Sequence, residues 1–123
     1  MRRLNLAGID KLTGVSVYYG AATSEAVYYQ GKKVYVIGGA NSAGQGAMFL
    51  SRFASEVVLV YRDKSLRKSM STYLIDQIRQ TENITTLANT ELSAVEGAKK
   101  LETITLKNNK SGEYISERAD AVF

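Results

Sequence analysis

One stretch decides the fold: Val34-Tyr35-Val36-Ile37-Gly38-Gly39-Ala40-Asn41-Ser42-Ala43-Gly44. Its first four residues are apolar and mostly β-branched or aromatic, which predicts a strand buried on both faces of a parallel sheet. The glycines that follow predict a sharp turn. From Ala43 to Phe53, alanine and leucine recur at spacings of three and four, which predicts a helix that begins directly after the turn.

A strand, a glycine-containing turn and an immediate helix form the front half of a dinucleotide-binding unit. On the pattern Gly-x-Gly-x-x-Gly/Ala, Gly38 comes first, Ala40 second and Ala43 third. Alanine is a known substitute for glycine at the third position, which Ala43 occupies. The methyl group of Ala40 points to where a pyrophosphate comes closest. Gly39 and Gly44 leave the turn some conformational freedom to accommodate it. Without its context, this motif is explained equally well by a plain strand-to-helix turn. Because the motif follows a predicted strand and opens a predicted helix, phosphate binding is the favoured interpretation. The candidate binding residues here are Gly38, Gly39, Ala40, Asn41, Ser42 and Ala43.

Outward from this stretch, the chain alternates strands and helices and then changes character. Glu56–Tyr61 and Ile84–Leu87 have the pattern of buried strands, and helical spacing covers Ser69–Gln80 between them. An open alternation follows, with a hairpin turn at residues 108–112, over the segments Thr90–Val95, Leu101–Lys107 and Glu113–Ser116. A last strand begins at Ala121. We therefore expect an α/β fold of Rossmann-like, three-layer type: a parallel sheet of three or four strands, helices on its faces, and a small antiparallel β-meander over one side.

The composition favours binding over catalysis. The 123 residues predict one domain spanning residues 1–123. There is no Cys and no His, so the chain lacks thiolate chemistry and the commonest acid/base and metal ligand. We predict neither a catalytic residue nor a metal site. No apolar run approaches the roughly 18 residues that span a bilayer, so we expect no membrane partner and a cytoplasmic protein.

The basic residues are concentrated at one place. The net charge is +4, from 16 basic and 12 acidic side chains, and the cluster spans Arg62–Lys68. A small phosphate pocket suits this cluster better than a groove for a polyanion, and no helix carries a run of basic residues. We therefore expect a small-molecule ligand and no nucleic acid.

The end of the second strand indicates which dinucleotide binds. In a dinucleotide-binding fold this position lies beside the adenine ribose, where an acidic residue accepts the 2′-hydroxyl of NADH. Here Arg62 ends the strand and Arg67 follows, and an arginine fork binds a 2′-phosphate with charge-assisted hydrogen bonds. NADPH is therefore the expected cofactor and NADH the less favoured one, although Asp63 opposes this preference. Tyr61 either packs on the adenine or only completes the strand.

The residues as a whole resemble the NADPH-binding domain of the thioredoxin reductase-like flavoproteins, which are pyridine nucleotide-disulfide oxidoreductases. The resemblance rests on Val34 to Ser51, on Val57 to Ser69 and on the two ends, Arg2–Gly8 and Ala119–Phe123. It implies that residues 1–30 lead in from an FAD domain that the chain lacks, and that residues 31–123 form the dinucleotide-binding core. It further implies FAD in the full-length parent only, a homodimeric parent, and an isolated chain that is inactive alone.

Four positions depart from this family's pattern. Ala21 and Ser24 stand where the family has its two redox cysteines. Arg62 and Arg67 match the first and third of its three arginines, with Asp63 at the second. The resemblance places Gln45 where the family has a glutamate near the nicotinamide carboxamide. The implied function is to hold NADPH so that its nicotinamide passes a hydride to a flavin.

Two other functions stay open. The chain could be a non-catalytic nucleotide-sensing domain, with Ala40 and Asp63 marking a decayed site. It could instead be an interaction module whose basic loop docks an acidic partner.

Overall fold

The structure, a computed structural model, describes residues 27–97 and 100–123. The predicted lead-in up to residue 26, including Ala21 and Ser24, lies outside the described residues. A parallel sheet has the strand order β3-β2-β1-β7. Its strands are β1 (Lys33–Ile37), β2 (Glu56–Val60), β3 (Ile84–Leu87) and β7 (Ala121–Val122).

The predicted parallel sheet is confirmed, with β1 at its centre. Val34 pairs in parallel with Val57 of β2 on one side and with Ala121 of β7 on the other. Val34, Tyr35 and Val36 are all buried, as expected for a strand covered on both faces. The order of the strands therefore reverses at β1, which is the place in such sheets where ligands bind.

Two helices cover one face of this sheet. They are α1 (Asn41–Leu50) and α2 (Thr72–Gln80), and both pack into the core that holds Val34 and Val57. The predicted parallel sheet covered by helices is confirmed, and both described helices lie on the same face. Side chains alternate along a strand, so Tyr35 and its neighbours on the opposite face form a separate apolar set that needs another cover.

An antiparallel meander supplies that cover. Its strands are β4 (Thr90–Glu96), β5 (Thr103–Asn108) and β6 (Tyr114–Arg118). The predicted hairpin turn between β5 and β6 is confirmed: the side-chain oxygen of Asn108 accepts hydrogen bonds from two backbone N–H groups, and Gly112 has φ +75°. The predicted three-layer architecture is thus present, with helices, parallel sheet and meander stacked in that order.

A polar cluster links the sheet to the meander at the amino end of β1. The ammonium of Lys33 lies 3.8 Å from a carboxylate oxygen of Glu56 and 3.9 Å from one of Glu117 on β6. Burial raises the pKa of the Tyr35 hydroxyl, which Lys33 only partly offsets. Burial alone would lower the pKa of Lys33, but its hydrogen bond to Tyr35 and the two carboxylates raise it overall.

Candidate functional site

A cleft of about 550 Å³ opens at the carboxyl ends of β1 and β2. This volume lies within the range of small-molecule and cofactor sites, and the location is the switch point of the sheet. Three segments line the cleft: the turn after β1, the residues after β2 and the start of β4. Its lining residues are Ile37, Gly38, Gly39, Ala40, Val60, Tyr61, Arg62, Asp63, Ser65, Ser69, Thr90, Glu91 and Leu92.

Gly38 makes the turn possible. Its φ is +140°, a backbone conformation that other residues rarely adopt, and a Cβ there would lie 3.1 Å from the Cβ of Ala43. Its N–H donates to the carbonyl oxygen of Val60 at 2.8 Å, so the chain leaves β1 across the end of β2. At Gly39 an added Cβ would lie 3.2 Å from the Cβ of Tyr61. Gly38 therefore allows the turn to lie close to the start of α1, and Gly39 allows it to lie close to the residue that follows β2.

Ala40 is the N-cap of α1. Its backbone is extended, with φ −90° and ψ 175°, and its side chain makes no capping hydrogen bond. The residue is exposed and lines the cleft. The helix begins at Asn41, two residues before the predicted start. The N–H groups of Asn41, Ser42 and Ala43 have no carbonyl within the helix to bind, which makes this end of α1 suitable for an anion.

Hydrogen bonds join the turn to the segment that enters α2. The Ser69 hydroxyl donates to the carbonyl oxygen of Gly39 at 2.7 Å. The backbone N–H of Ser71 donates to the side-chain oxygen of Asn41 at 2.8 Å. That oxygen of Asn41 is thus engaged in positioning the turn. Sequence reasoning missed Ser69, because no local pattern shows a contact across thirty positions.

Gly44 packs against the same segment. It is buried in α1, and an added Cβ would lie 2.7 Å from the Cδ2 of Leu74 and 2.8 Å from the Cε of Met70. The prediction that Gly44 provides slack in the turn was wrong. It allows α1 and α2 to approach closely, because no side chain stands between them.

The end of β2 supplies the cation of the cleft. Tyr61 is half-buried and Arg62 is exposed, and both line the cleft as their predicted roles require. The Nε atom of Arg62 lies 3.0 Å from Oε1 of Glu91, at the start of β4. Asp63 is exposed and also lines the cleft. Glu91 carries no local sequence signal of a binding role, since only the packing of the meander brings it to this edge of the sheet.

Not every predicted residue lies in the lining. Asn41, Ser42, Ala43, Gln45 and Arg67 are outside it, although the first three directly follow Ala40. Gln45 is exposed on α1. Arg67 is exposed in a short 3₁₀ turn at Leu66–Lys68, and its backbone N–H donates to the Ser65 hydroxyl at 3.2 Å.

Within residues 27–97 and 100–123, no three His, Cys, Asp or Glu side chains gather in a way that could hold a metal ion. In the same residues no helix is both long enough and apolar enough to cross a membrane.

Comparison with known proteins identifies the family. The profile of the pyridine nucleotide-disulphide oxidoreductase family matches residues 33–112, more than half of the chain. A thioredoxin reductase of Mycolicibacterium smegmatis is 35% identical over 122 residues, which are 99% of this chain and 38% of that relative. A thioredoxin reductase of Streptomyces clavuligerus is 34% identical and is covered to 37%. The chain thus spans less than two fifths of the length of these relatives.

Solved structures confirm the fold. The chain superposes on Lactococcus lactis thioredoxin reductase with a TM-score of 0.91 and 22% sequence identity, covering 100% of this chain and 40% of that one. For the thioredoxin reductase of Streptococcus pyogenes the TM-score is 0.92 at 23% identity, with 99% and 39% covered. The family profile, the related sequences and this three-layer fold agree, and the chain therefore belongs to the pyridine nucleotide-disulphide oxidoreductase family.

Proposed function

We propose that this chain binds NADPH, in preference to NADH, and positions its nicotinamide for hydride transfer to FAD. The observation that supports the proposal most is the cleft itself, which is lined by both the glycine turn at Gly38 and Arg62. A dinucleotide has two anionic groups to bind, the pyrophosphate and the 2′-phosphate. The cleft offers a suitable group for each.

The turn and the first residues of α1 are proposed to hold the pyrophosphate. Gly38, Gly39 and Ala40 line the cleft, and Asn41 to Ala43 offer the N–H groups of the first helical turn. The partial positive charge of that end of the helix favours an anion. No side-chain cation is needed there, because the backbone supplies the donors.

The far side of the cleft is proposed to hold the adenosine. Tyr61 offers a ring for the adenine, and Arg62 offers a fork of donors for the 2′-phosphate. Arg67, which is exposed outside the lining, is proposed as a second cation. Gln45 is proposed to bind the nicotinamide carboxamide through its amide. When bound, the reduced nicotinamide supplies the hydride, and this chain contributes position and electrostatics.

The wider setting of the proposal is a longer flavoenzyme. Residues 31–123 are proposed as the dinucleotide-binding core and residues 1–30 as the lead-in from an FAD domain of the same parent chain. We also propose a homodimeric, cytoplasmic parent that acts as an FAD-dependent oxidoreductase of thioredoxin reductase type. The isolated chain is then expected to bind nucleotide weakly and to be inactive alone.

Calorimetric titration of the 123-residue chain with NADPH and NADH tests the binding role. Arg62→Ala should weaken NADPH binding by roughly tenfold, the size of a lost charge-assisted hydrogen bond, and should leave NADH binding nearly unchanged. Arg79→Ala is the matched control, because Arg79 is exposed at the end of α2 and does not line the cleft. If both variants weaken NADPH binding equally, the loss comes from the lower net charge of the chain and not from a contact in the cleft.

A non-catalytic nucleotide-sensing role is the second candidate. The observation that favours it is the pair of carboxylates, Asp63 and Glu91, in the lining beside Arg62. Hydride transfer distinguishes the two functions. A longer protein that contains this chain and binds FAD should bleach its flavin absorbance on mixing with NADPH if the first function holds. Binding of NADPH without bleaching would favour the sensing role.

A further inference from the structure

A carboxylate stands beside the cation that is proposed to bind the 2′-phosphate. The Nε atom of Arg62 and the Oε1 atom of Glu91 lie 3.0 Å apart, and both residues line the cleft. This distance is that of a direct ion pair. Any anion that binds Arg62 must therefore share it with Glu91 or displace Glu91.

The charge balance of the lining points the same way. Among the described residues it contains one cation, Arg62, and two carboxylates, Asp63 and Glu91. The other basic residues of the Arg62–Lys68 cluster do not line the cleft. A 2′-phosphate adds negative charge to this surrounding, whereas a ribose 2′-hydroxyl is neutral and can donate a hydrogen bond to a carboxylate. The carboxylate of Glu91, in addition to that of Asp63, thus disfavours NADPH relative to NADH.

Backbone hydrogen bonds hold the start of β4 against the end of β2. The N–H of Thr90 donates to the carbonyl oxygen of Tyr61 at 2.9 Å, and the N–H of Asn89 donates to that of Asp63 at 3.0 Å. These bonds involve the residues that flank Arg62 on one segment and precede Glu91 on the other. The backbones of Arg62 and Glu91 are therefore fixed next to each other, so the pairing does not depend on a free loop.

We propose that Glu91 is a specificity-determining residue, which lowers the preference of the site for NADPH over NADH by pairing with Arg62. The inference rests on the proposed function, because it concerns the same cleft. Both side chains reach solvent, with 74% of Arg62 and 39% of Glu91 exposed. Water and salt screen such a pair, so its effect is moderate and depends on ionic strength.

The experiment measures the ratio of the Kd for NADH to the Kd for NADPH by calorimetry, at low and at high salt. Glu91→Gln should raise this ratio by roughly two- to fivefold at low salt, the size of an exposed ion pair. The rise should shrink at high salt. Glu82→Gln is the matched control: it removes the same charge from an exposed residue that precedes β3, at the opposite edge of the sheet. Its ratio should equal that of the unchanged chain.

Three results would overturn the inference. The first is an unchanged ratio in Glu91→Gln, and the second is an equal rise in Glu82→Gln. The third is a rise that persists when Glu91→Gln is combined with Arg62→Ala, since Glu91 would then act without its partner. Saturable binding with an unchanged ratio contradicts this inference alone. Absence of binding of either nucleotide by every variant contradicts the proposed function and this inference together.

Discussion

The Ser69 hydroxyl donates a hydrogen bond of 2.7 Å to the carbonyl oxygen of Gly39. The bond joins the glycine turn after β1 to the segment that leads into α2, thirty positions further along the chain. Gly39 lines the cleft, and so does Ser69. A residue that sequence reasoning passed over thus contributes to the shape of the proposed phosphate site.

Ser69→Ala should loosen the turn without changing the charge of the cleft. Because the bond is exposed, we expect the free energy of unfolding to fall by about 0.5 to 1 kcal/mol, measured by urea denaturation. The Kd values for NADPH and NADH should rise together, by no more than about fivefold, since that factor corresponds to 1 kcal/mol. Ser55→Ala, at an exposed position before β2, serves as the control. Equal losses in both variants would contradict a specific role for Ser69.

Ala40→Gly should tighten nucleotide binding. Ala40 is exposed in the cleft, and its methyl group lies on the path of a pyrophosphate in the proposed site. Its extended backbone suits any residue, and glycine is a better N-cap than alanine, so the free energy of unfolding should change by less than about 0.5 kcal/mol.

Calorimetry distinguishes this effect from that of Glu91→Gln. The pyrophosphate is common to both dinucleotides, so Ala40→Gly should lower both Kd values by the same factor and leave their ratio unchanged. Ala94→Gly in β4 is the control, with unchanged affinity. If the affinities of Ala40→Gly equal those of the original chain, the methyl group of Ala40 does not obstruct the site.

The raised pKa of Tyr35 predicts how the stability of the fold responds to alkaline pH. Burial raises its pKa above 10.0, and the pKa of Lys33 is also raised, above 10.5. A group with a raised pKa in the folded state stabilises the fold below its unfolded pKa and loses that contribution as pH rises through its folded pKa. The free energy of unfolding should therefore be steady up to about pH 10 and fall above it.

Tyr35→Phe should reduce this alkaline fall, because one of the two titrating groups is gone. Urea denaturation between pH 8 and pH 11 measures the slope. Tyr73→Phe is the control, since Tyr73 is 74% exposed and lies on α2. A slope that stays the same in Tyr35→Phe would show that Tyr35 does not carry the alkaline sensitivity.

Local signals predicted the elements well. The bounds of β3 agree fully with the sequence, and those of β1 differ by one residue, because β-branched runs and glycines mark strands and turns within a few positions. The start of α2 differs more. The sequence suggested Ser69, but the helix begins at Thr72, since the Ser71 hydroxyl accepts from the N–H of Leu74 and caps it there.

The proposed site was predictable in part. Gly38 to Ala40, Tyr61 and Arg62 lie in the cleft, since the turn after β1 and the end of β2 must meet at the carboxyl edge of a parallel sheet. Arg67 and Gln45 lie outside the lining, because an exposed 3₁₀ turn and an outer position on α1 hold them. The sequence selected these two residues, but it did not show whether each would lie in the lining of the cleft.

The sequence by itself determined the elements, the order in which they alternate and the turn that marks the cleft, because each depends on a short run of residues. The tertiary structure alone decided which distant residues complete the cleft. It brought Ser69 to Gly39 and Glu91 to Arg62, and it placed both helices on one face. These relationships arise when the separate layers pack their apolar faces. Burial of apolar surface is not directional, so the local sequence does not show which surfaces will meet.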